Sequence, residues 1–335
     1  MTRVYSEGFE LRDLVGLTTT GAINTSIKRS GAASLVINKT QYLTHSVSDL
    51  TEAYIRFGIY WTGVTNTWKF DIKWRHGTTV LGGIYIDLEL NGLLQAKVST
   101  TTQDTGSIPI ATGVWYLIEV HVKIDDATGV IETKVDGVDD ATFSGDTKPG
   151  ADAHFDNIYF LASSAGAGDN VTIYLDDIGI NDTAGGVDDS WLGDGRIIVI
   201  KPNGDSATLQ LTPSAAGTHH TLVDDIPADG DTTYVEGTVV DERDIYDLAA
   251  CGLGDVIIDR IWTEARVKDT ASSGKTVALI TKASGGAEVS GGDVALAGTY
   301  TTKVLGAEQL VNPVDAAAWE VADIDALQGG PKTRS

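Results

Sequence analysis

The sequence is short of the features that tie a chain to a membrane or to an oxidising compartment. Among 335 residues there is one cysteine, Cys251, which excludes an internal disulfide framework. No apolar run approaches the roughly 20 residues that a membrane-spanning helix needs. The opening stretch, MTRVYSEGFELRD, has no apolar core of the secretory kind. We therefore expect synthesis in a reducing cytoplasm, with no signal peptide and no membrane insertion.

Basic residues are also scarce. Lys and Arg number 24 against 47 Asp and Glu, the formal net charge is -23, and both halves of the chain are acidic. A binder of nucleic acid or of an anionic membrane carries a basic surface instead. The charge balance therefore argues against nucleic acid as a partner, and it is typical of a protein that stays soluble at high local copy number.

Motifs for several kinds of catalytic and metal chemistry are missing. The sequence has no phosphate-binding loop and no Gly-x-Ser-x-Gly. His219 and His220 are adjacent, so in a strand they would point to opposite faces, which is poor geometry for chelating one metal. No cysteine or histidine has a partner at zinc-site spacing, and we interpret Cys251 as a small packing residue. We expect no transition metal and no organic cofactor.

Glycine, in contrast, is abundant at 38 residues, and β-branched residues recur along the chain. The clearest pattern lies between Trp115 and Phe143. There, Tyr116, Ile118, Val120, Val122 and Ile124 alternate with Glu119, His121 and Lys123. This period of two predicts a half-buried strand, and the Asp/Gly turn after it leads into a second alternating strand, 130–136. We predict an antiparallel ribbon with one apolar face and one charged face.

Similar strands are predicted through the rest of the first half: Tyr5 to Glu10, Ala33 to Ile37, Ala53 to Trp61, Trp68 to Arg75, Ile84 to Leu90, Leu94 to Val98, Phe155 to Leu161 and Val171 to Ile180. No helix pattern interrupts them. About ten strands at short spacing imply two packed antiparallel sheets. The predicted fold class is all-β, built from β-sandwich (jelly-roll) domains.

Part of this half carries a family resemblance. The aromatic strand, the Asp/Gly turn, a strand that ends in Val135-Asp136-Gly137 and the later Tyr174-Leu175-Asp176-Asp177-Ile178 resemble the concanavalin A-like, laminin-G-like jelly roll. The resemblance covers roughly residues 1–182. That fold hosts lectins, glycosidases and non-enzymatic adhesion modules, so it does not decide the function by itself.

A polar, glycine-bearing stretch at 183–190 is predicted to link domain 1–182 to a second domain, 191–335. Strands are predicted there at Arg196 to Lys201, Ala207 to Leu211, Asp255 to Lys268 and Val277 to Thr281, with a turn at 202–205. They indicate a second β-sandwich. From Pro313 to Gln328, apolar residues recur at near-helical spacing, and Gly329-Gly330-Pro331 would end the helix. One short C-terminal helix is therefore expected.

The second half has a resemblance of its own. The stretches DSWLGD (189–194), PNGD (202–205), DDIPADGDTTYV (224–235), NPVDAAAW (312–319) and DALQ (325–328) resemble a module of tailed-phage and prophage proteins that follows a lectin-like sandwich. The resemblance implies a non-enzymatic virion component. The sequence departs from that module at 329–332, where Gly-Gly-Pro-Lys replaces a valine-rich strand.

Two carboxylates form the best catalytic pair in the sequence. Asp87 and Glu89 stand two residues apart on a predicted strand, so their side chains point the same way, about 6.5–7 Å apart. Glycosidases use such separations. The alternative is an ordinary solvent-facing row of an amphipathic strand. The Glu-x-Asp-x-x-Glu of laminarinase-like glycosidases is missing, and we therefore predict that the protein is not an enzyme.

Aromatic residues offer a surface for sugar stacking. Trp115, Tyr60 and Tyr116 are the candidates for binding a glycan. Trp61, Trp68 and Trp74 could also form a sugar-stacking platform. Because Trp68 and Trp74 are in phase with Phe70 and Ile72, these tryptophans are interpreted as core residues.

Acidic pairs leave a calcium site as an alternative. Laminin-G-like domains sometimes hold one ion on loops, so Asp176 and Asp177 are the candidate ligands under the first resemblance. Calcium needs 6–8 converging oxygens. The sequence has no complete Asp-x-Asp-x-Asp-Gly loop, and turn or surface roles are favoured for these pairs.

Taken together, these observations predict a non-enzymatic structural protein on the exterior of a phage virion: a capsid decoration, a head fibre or a tail-associated subunit. Its expected partners are other virion proteins and copies of itself, with host-surface glycans as a further partner. A carbohydrate-binding, lectin-like adhesion module is the alternative, and a glycosidase is a third. Edge strands with few charges favour a homo-oligomer, and a trimer is the predicted order by analogy with phage surface proteins.

Overall fold

The structure, a computed structural model, describes residues 3–15, 17–63, 68–87, 92–164, 171–184, 187–271, 273–304 and 308–334. The chain divides into two compact units, Met1–Ile198 and Val199–Ser335. The stretch predicted as a linker, 183–190, and the residues up to 198 therefore fall within the first unit. Among the described residues, no helix is both long and apolar enough to cross a membrane.

The first unit consists of strands over its described residues. They are β1 (Arg3–Glu7), β2 (Thr18–Thr19), β3 (Ala22–Asn24), β4 (Ser34–Asn38), β5 (Tyr42–Leu50), β6 (Glu52–Thr62), β7 (Trp68–His76), β8 (Thr79–Asp87), β9 (Leu93–Val98), β10 (Thr101–Thr105), β11 (Tyr116–Lys123), β12 (Gly129–Val135), β13 (Val138–Gly145), β14 (Phe155–Ser164) and β15 (Thr172–Asp182). The all-β prediction is confirmed.

These strands form two antiparallel sheets. An eight-stranded sheet follows the order β13-β12-β11-β6-β15-β4-β3, with β1 paired to β15, and a seven-stranded sheet follows β10-β9-β8-β7-β14-β5-β2. Their inner faces share one apolar core. Phe57 of the first sheet, for example, lies with its ring 6.0 Å from Phe70 and 5.5 Å from Phe160 of the second. The unit is a β-sandwich, as predicted.

Period-two alternation explains which side chains enter this core. Ile118, Val120 and Val122 of β11 are fully buried, as the sequence predicted for the ribbon. Phe70, Ile72 and Trp74 of β7 are equally buried, and Trp61 is 6% exposed, so the core interpretation of these two tryptophans agrees with their positions. The side chain of Trp68 lies outside the described residues.

A β-bulge interrupts β15 at the acidic pair. Asp176 pairs with Gly58 and Gly179 with Arg56, so Asp177 and Ile178 together oppose Phe57. The extra residue is Asp177, whose φ of 52° lies in the left-handed region that Asp tolerates better than most residues. Because of this bulge, Leu175 and Ile178 both point into the core although they are three positions apart.

The second unit is also mainly β. Its elements are β16 (Pro202–Leu209), β17 (Thr212–Pro213), a 3-10 helix (His219–Leu222), β18 (Val235–Glu236), β19 (Asp244–Leu248), β20 (Glu264–Val267), β21 (Thr276–Lys282), β22 (Val289–Ser290), β23 (Val294–Ala295), β24 (Thr301–Val304), α1 (Val321–Asp325) and β25 (Gln328–Thr333).

One sheet, in the order β16-β19-β25-β21-β22 with β23 also on β21, dominates this unit, beside the two-stranded ribbons β17-β18 and β20-β24. Two small apolar clusters pack on it. Trp319, Ile324 and Leu327 centre one of them. Val277 and Leu279 centre the other, with Ala265 and Val267 of β20 against them.

The predicted helix from Pro313 to Gln328 is wrong in extent, because only Val321–Asp325 is helical. The Asn312 carboxamide accepts a hydrogen bond from the Val314 amide, and the Asp315 carboxylate accepts one from the Ala317 amide. These local bonds fold the preceding residues into turns, a known competitor of helix formation.

The interpretation of 329–331 as a helix stop is also wrong, because these residues lie in the strand β25 between β19 and β21. At Gly330 the strands β25 and β19 approach so closely that a Cβ atom would lie 2.0 Å from the Asp244 carbonyl oxygen. Glycine at this position therefore allows the strand to fit rather than ending an element. The long strand predicted at Asp255 to Lys268 shrinks to Glu264–Val267, and the turn predicted at 202–205 lies within β16.

Candidate functional site

The outward face of the seven-stranded sheet gathers polar and aromatic side chains from distant parts of the sequence. The register aligns two neighbouring rows across β7, β8 and β9: Asp71–Tyr85–Gln95 and Lys73–Gly83–Lys97. The next strand, β14, places Tyr159 beside Lys73 and Asn157 beside Arg75. We call Lys73, Arg75, Tyr85, Lys97 and Tyr159 the cationic–aromatic face.

Tyr85 forms the middle of this face because Gly83 leaves room for its ring. A Cβ atom on Gly83 would lie 2.5 Å from the Ile72 carbonyl oxygen and 3.1 Å from Cε2 of Tyr85. Two ammonium groups lie over the Tyr85 ring, with Nζ of Lys97 at 4.3 Å and Nζ of Lys73 at 5.4 Å from the ring centroid. Cation–π attraction thus holds two positive charges over one ring.

A second cation–ring pair lies on the next strand. The guanidinium carbon of Arg75 is 3.7 Å from the centroid of the Tyr159 ring. Tyr159 also stacks with Tyr42 of β5, with the centroids 5.0 Å apart. A guanidinium stacked on a ring keeps its N–H groups in its own plane, so they point outward from the guanidinium edges and can donate hydrogen bonds there. This pair extends the cationic–aromatic face towards β5.

Asp71 supplies a carboxylate beneath these cations. It is only 3% exposed, and its Oδ2 lies 2.8 Å from Nζ of Lys73. Its other oxygen, Oδ1, is buried with no hydrogen-bond partner in the structure. Burial raises the pKa of Tyr85 to about 12, and the Asp71 charge acts in the same direction. The Tyr85 hydroxyl is therefore protonated at neutral pH and able to donate a hydrogen bond.

The predicted catalytic pair falls at the border of what the structure describes. Asp87 is the last residue of β8 and pairs with Lys69 and Leu93, but its side chain lies outside the described residues. Glu89 lies outside them altogether.

Of the predicted glycan-binding aromatics, two come together and one does not. Tyr60 lies on the outward face of the eight-stranded sheet, with Trp115 5.5 Å and Tyr174 5.6 Å away between ring centroids. Tyr116 pairs with the core residue Ile59 and packs against the core from the inner side. The three predicted residues therefore do not form one surface, whereas Tyr60, Trp115 and Tyr174 do.

The rest of that outward face is covered by residues 191–197, which we call the covering segment. The Gly193 amide donates to Oε1 of Glu119 at 2.7 Å, and the Trp191 ring lies 5.3 Å from Tyr54. His121 bonds to Glu52 and Glu132 at 2.8 and 3.0 Å. Glu119 is only 3% exposed. The face predicted as charged is thus a buried polar contact at this end.

The candidate calcium ligands are part of the same contact. Asp177 lies 2.8 Å from the Arg29 guanidinium and accepts hydrogen bonds from Ser30 and from the Ile197 amide. Asp176 accepts hydrogen bonds from the amides of Arg29, Ser30 and Asp177. Both side chains are fully buried. These bonds give the two carboxylates a structural role: Asp177 attaches the covering segment to the bulge in β15, and Asp176 holds the backbone of Arg29 and Ser30 against it.

Burial also perturbs two acidic groups near the bulge. It raises the pKa of Asp176 to about 8, although three backbone hydrogen bonds oppose the shift. It raises the pKa of Glu10 to about 7. Glu10 is 5% exposed and accepts a hydrogen bond from the Ala32 amide, while its Oε1 is buried with no partner in the structure. Asp176 therefore favours the protonated form at neutral pH, and Glu10 titrates in that range.

In the second unit the two histidines bind carboxylates rather than a shared metal. Nδ1 of His219 lies 2.7 Å from the buried Asp244, which also accepts a hydrogen bond from Tyr246, and Nδ1 of His220 lies 2.9 Å from Asp205. Over the residues that the structure describes, no group of three or more His, Cys, Asp or Glu side chains is arranged to hold a metal. Cys251 is a half-buried free thiol.

Sequence reasoning missed most of the cationic–aromatic face. The alternation Lys69, Asp71, Lys73, Arg75 was visible, since these residues face away from Phe70 and Ile72. Nothing local shows that Tyr85, Lys97 and Tyr159 join them, because this depends on the pairing of β7 with both β8 and β14. The sequence shows only which residues of each strand lie on its polar side.

No family model and no curated protein matches the chain. Solved structures similar to it include the cellulose-induced protein Cip1, with 18% identity over 57% of this chain and 100% of that one and a TM-score of 0.43. A carbohydrate esterase from Shiga toxin-encoding bacteriophage phi24B has 14% identity over 50% and 89%, with a TM-score of 0.39. The carbohydrate-binding module CBM66 from Bacillus subtilis has 10% identity over 50% and 96%, with a TM-score of 0.35.

Proposed function

We propose that this chain is a non-enzymatic protein on the exterior of a tailed-phage particle, and that its first unit binds glycans through the cationic–aromatic face. The observation that carries the binding proposal is the preassembled group of Lys73 and Lys97 over the Tyr85 ring on paired strands. Glycan sites combine aromatic rings with a few fixed hydrogen-bonding groups, and this face has both. A site on paired strands needs little ordering when the ligand arrives.

The chemistry of the face supports binding rather than turnover. A general base needs a pKa near the working pH. Burial moves the pKa of Tyr85 further from neutral pH, to about 12. The Asp71 carboxylate is already paired with Lys73 and almost fully buried. These groups are suited to hold a ligand in place.

The virion role rests on the sequence. The lectin-like resemblance of the first half and the phage-module resemblance of the second half together cover nearly the whole chain. The net charge of -23 keeps many copies soluble on one particle. Mass spectrometry of purified particles from the phage that encodes the chain should detect it, and its absence from those particles would refute this role.

Glycan binding is tested by comparing the wild type with Tyr85→Ala on a broad array of bacterial polysaccharides. Loss of the ring removes the support for both ammonium groups, so we expect bound glycans to lose at least about tenfold in affinity, a change of about 1.4 kcal/mol. Tyr234→Ala, a change to a half-exposed tyrosine of the second unit, is the matched control. An array without any signal for the wild type would sink the binding proposal.

The aromatic cluster of Tyr60, Trp115 and Tyr174 is a second candidate surface for the same function. Trp115 is half-buried, and its ring lies against Tyr60 at the end of the eight-stranded sheet that the covering segment leaves open. If Trp115→Ala abolishes binding and Tyr85→Ala does not, the glycan lies here and not on the cationic–aromatic face.

A further inference from the structure

The cationic–aromatic face has an excess of positive charge within an acidic protein. On β7 to β9 the outward-facing side chains include Lys69, Lys73, Arg75 and Lys97 against the carboxylate of Asp71, and Asp87 holds the register position opposite Lys69. The whole chain carries a formal net charge of -23. An acidic protein repels anions over most of its surface, so a local group of cations marks the place where an anion is attracted.

The ring faces point to the kind of ligand. A neutral sugar binds an aromatic ring by laying its C–H groups flat on the ring. Lys97 already lies 4.3 Å from the Tyr85 centroid, and Arg75 lies 3.7 Å from that of Tyr159. A neutral sugar would have to displace these cations, whereas an anionic group can join them and accept hydrogen bonds from them.

We infer that the ligand of the cationic–aromatic face is an acidic glycan, whose sugars carry carboxylate or sulfate groups. This inference rests on the glycan-binding function proposed above and names its ligand class. One anionic group would lie between Nζ of Lys73 and Nζ of Lys97, which share the Tyr85 ring. The Arg75 guanidinium, two residues further along β7 on the same strand face, is placed to bind the acidic group of a neighbouring sugar in a bidentate manner.

Matched pairs of polymers test this inference by isothermal titration calorimetry. Each acidic polysaccharide in the panel, among them polygalacturonate, hyaluronan and a sulfated glycan, is paired with a neutral form, such as methyl-esterified polygalacturonate. We expect each acidic polymer to bind at least about tenfold more tightly than its neutral partner. The affinity for the acidic polymer should also fall as the salt concentration rises.

The variants locate the contact. Lys97→Glu should reduce binding of the acidic polymer at least about tenfold, because it reverses one charge beside Tyr85. The pair Asp71→Asn with Lys73→Met removes a cation without leaving the buried Asp71 unpaired, and it should act in the same direction. Lys28→Met, a change to an exposed lysine of the first unit outside this face, should change nothing.

The outcomes separate the two proposals. Equal binding of the acidic and neutral forms would keep the glycan-binding function and overturn the acidic ligand. Selective binding of acidic polymers that survives both sets of variants would overturn the assignment to this face. No binding to any polymer of this panel or of the array would overturn the function and the inference together.

Discussion

Gly330 is a residue whose replacement has a calculable consequence. A Cβ atom there would lie 2.0 Å from the Asp244 carbonyl oxygen, and that backbone belongs to the paired strand β19 and cannot step aside. Gly330→Ala should therefore lower the free energy of unfolding of the second unit by about 1–3 kcal/mol, as overpacking does elsewhere. Thermal unfolding measures it. Gly292→Ala, where a Cβ would meet nothing within 4 Å, is the control, and equal stability of the two variants would contradict the argument.

Glu10 makes stability depend on pH near neutrality. The pKa of Glu10 is about 7 and that of Asp176 about 8 in the folded protein, against ordinary values of 4.5 and 3.8. At a pH between a group's ordinary pKa and its raised pKa, the folded state holds a proton that the unfolded state has lost. The free energy of unfolding therefore falls as the pH rises through this range. His45 is half-buried, and burial lowers its pKa to about 4; it acts with the opposite sign, but only below its ordinary value of 6.5.

The melting temperature of the first unit should therefore fall between pH 6.5 and pH 8. In Glu10→Gln the fall should be shallower, since one of the two raised carboxyl groups is gone. Glu236→Gln, a change to an exposed side chain, should keep the wild-type slope. A flat profile for the wild type over this range would show that Glu10 and Asp176 do not titrate there.

At the scale of elements, one buried ion pair helps to hold the covering segment in place. The Asp177 side chain is fully buried, and Arg29 is 9% exposed and also pairs with Asp194 of the segment. Arg29→Met would leave the Asp177 charge uncompensated, so we expect a loss of about 3–5 kcal/mol in unfolding free energy. Limited proteolysis should then cut within residues 191–197.

An exposed ion pair gives the comparison for that experiment. Lys148 pairs with Asp126 at 3.2 Å, and the Asp126 side chain is 74% exposed. Lys148→Met should change the unfolding free energy by no more than about 0.5 kcal/mol. If Arg29→Met proved as mild as Lys148→Met, the ion pair would not be what holds the segment.

The individual strands also show how much of the fold the sequence can predict. Strict alternation predicted β11, β12 and the buried phase of β7, because one strand face is sufficient to mark the core. Gln328–Thr333 has no such signal, since its glycines have no side chain to alternate, and a pattern of stop residues pointed to a helix end instead. The covering segment and the cationic–aromatic face come from contacts between residues far apart in the chain, which no local pattern encodes.

At the scale of the whole molecule, self-association stays a prediction. The described surface of the second unit exposes several aliphatic side chains, among them Ile257, 96% exposed, Val239 at 58% and Val240 at 56%. Exposed aliphatic side chains are stabilised when another copy covers them. Light scattering of the isolated chain at micromolar concentration should show an oligomer, with a trimer as the predicted order.

Ile257→Asp should weaken that oligomer without unfolding the protein, because the side chain makes little contact within its own chain. Thr232→Asp places the same new charge at another exposed position of the unit and should leave the oligomer intact. A wild-type chain that scatters as a clean monomer would refute self-sufficient assembly and leave only assembly templated by the particle.

The position of β25 has a consequence for biosynthesis. In the sheet order β16-β19-β25-β21-β22, the strand made last of these lies between two made earlier, and β19 and β21 have no direct pairing with each other. On the ribosome, β16 with β19 and β21 with β22 can form separate hairpin-like pairs, but the sheet stays in two halves until residues 328–333 leave the exit tunnel. The first unit has every strand of its sandwich by residue 182 and is free to fold during synthesis, while the second must wait for the release of its central strand.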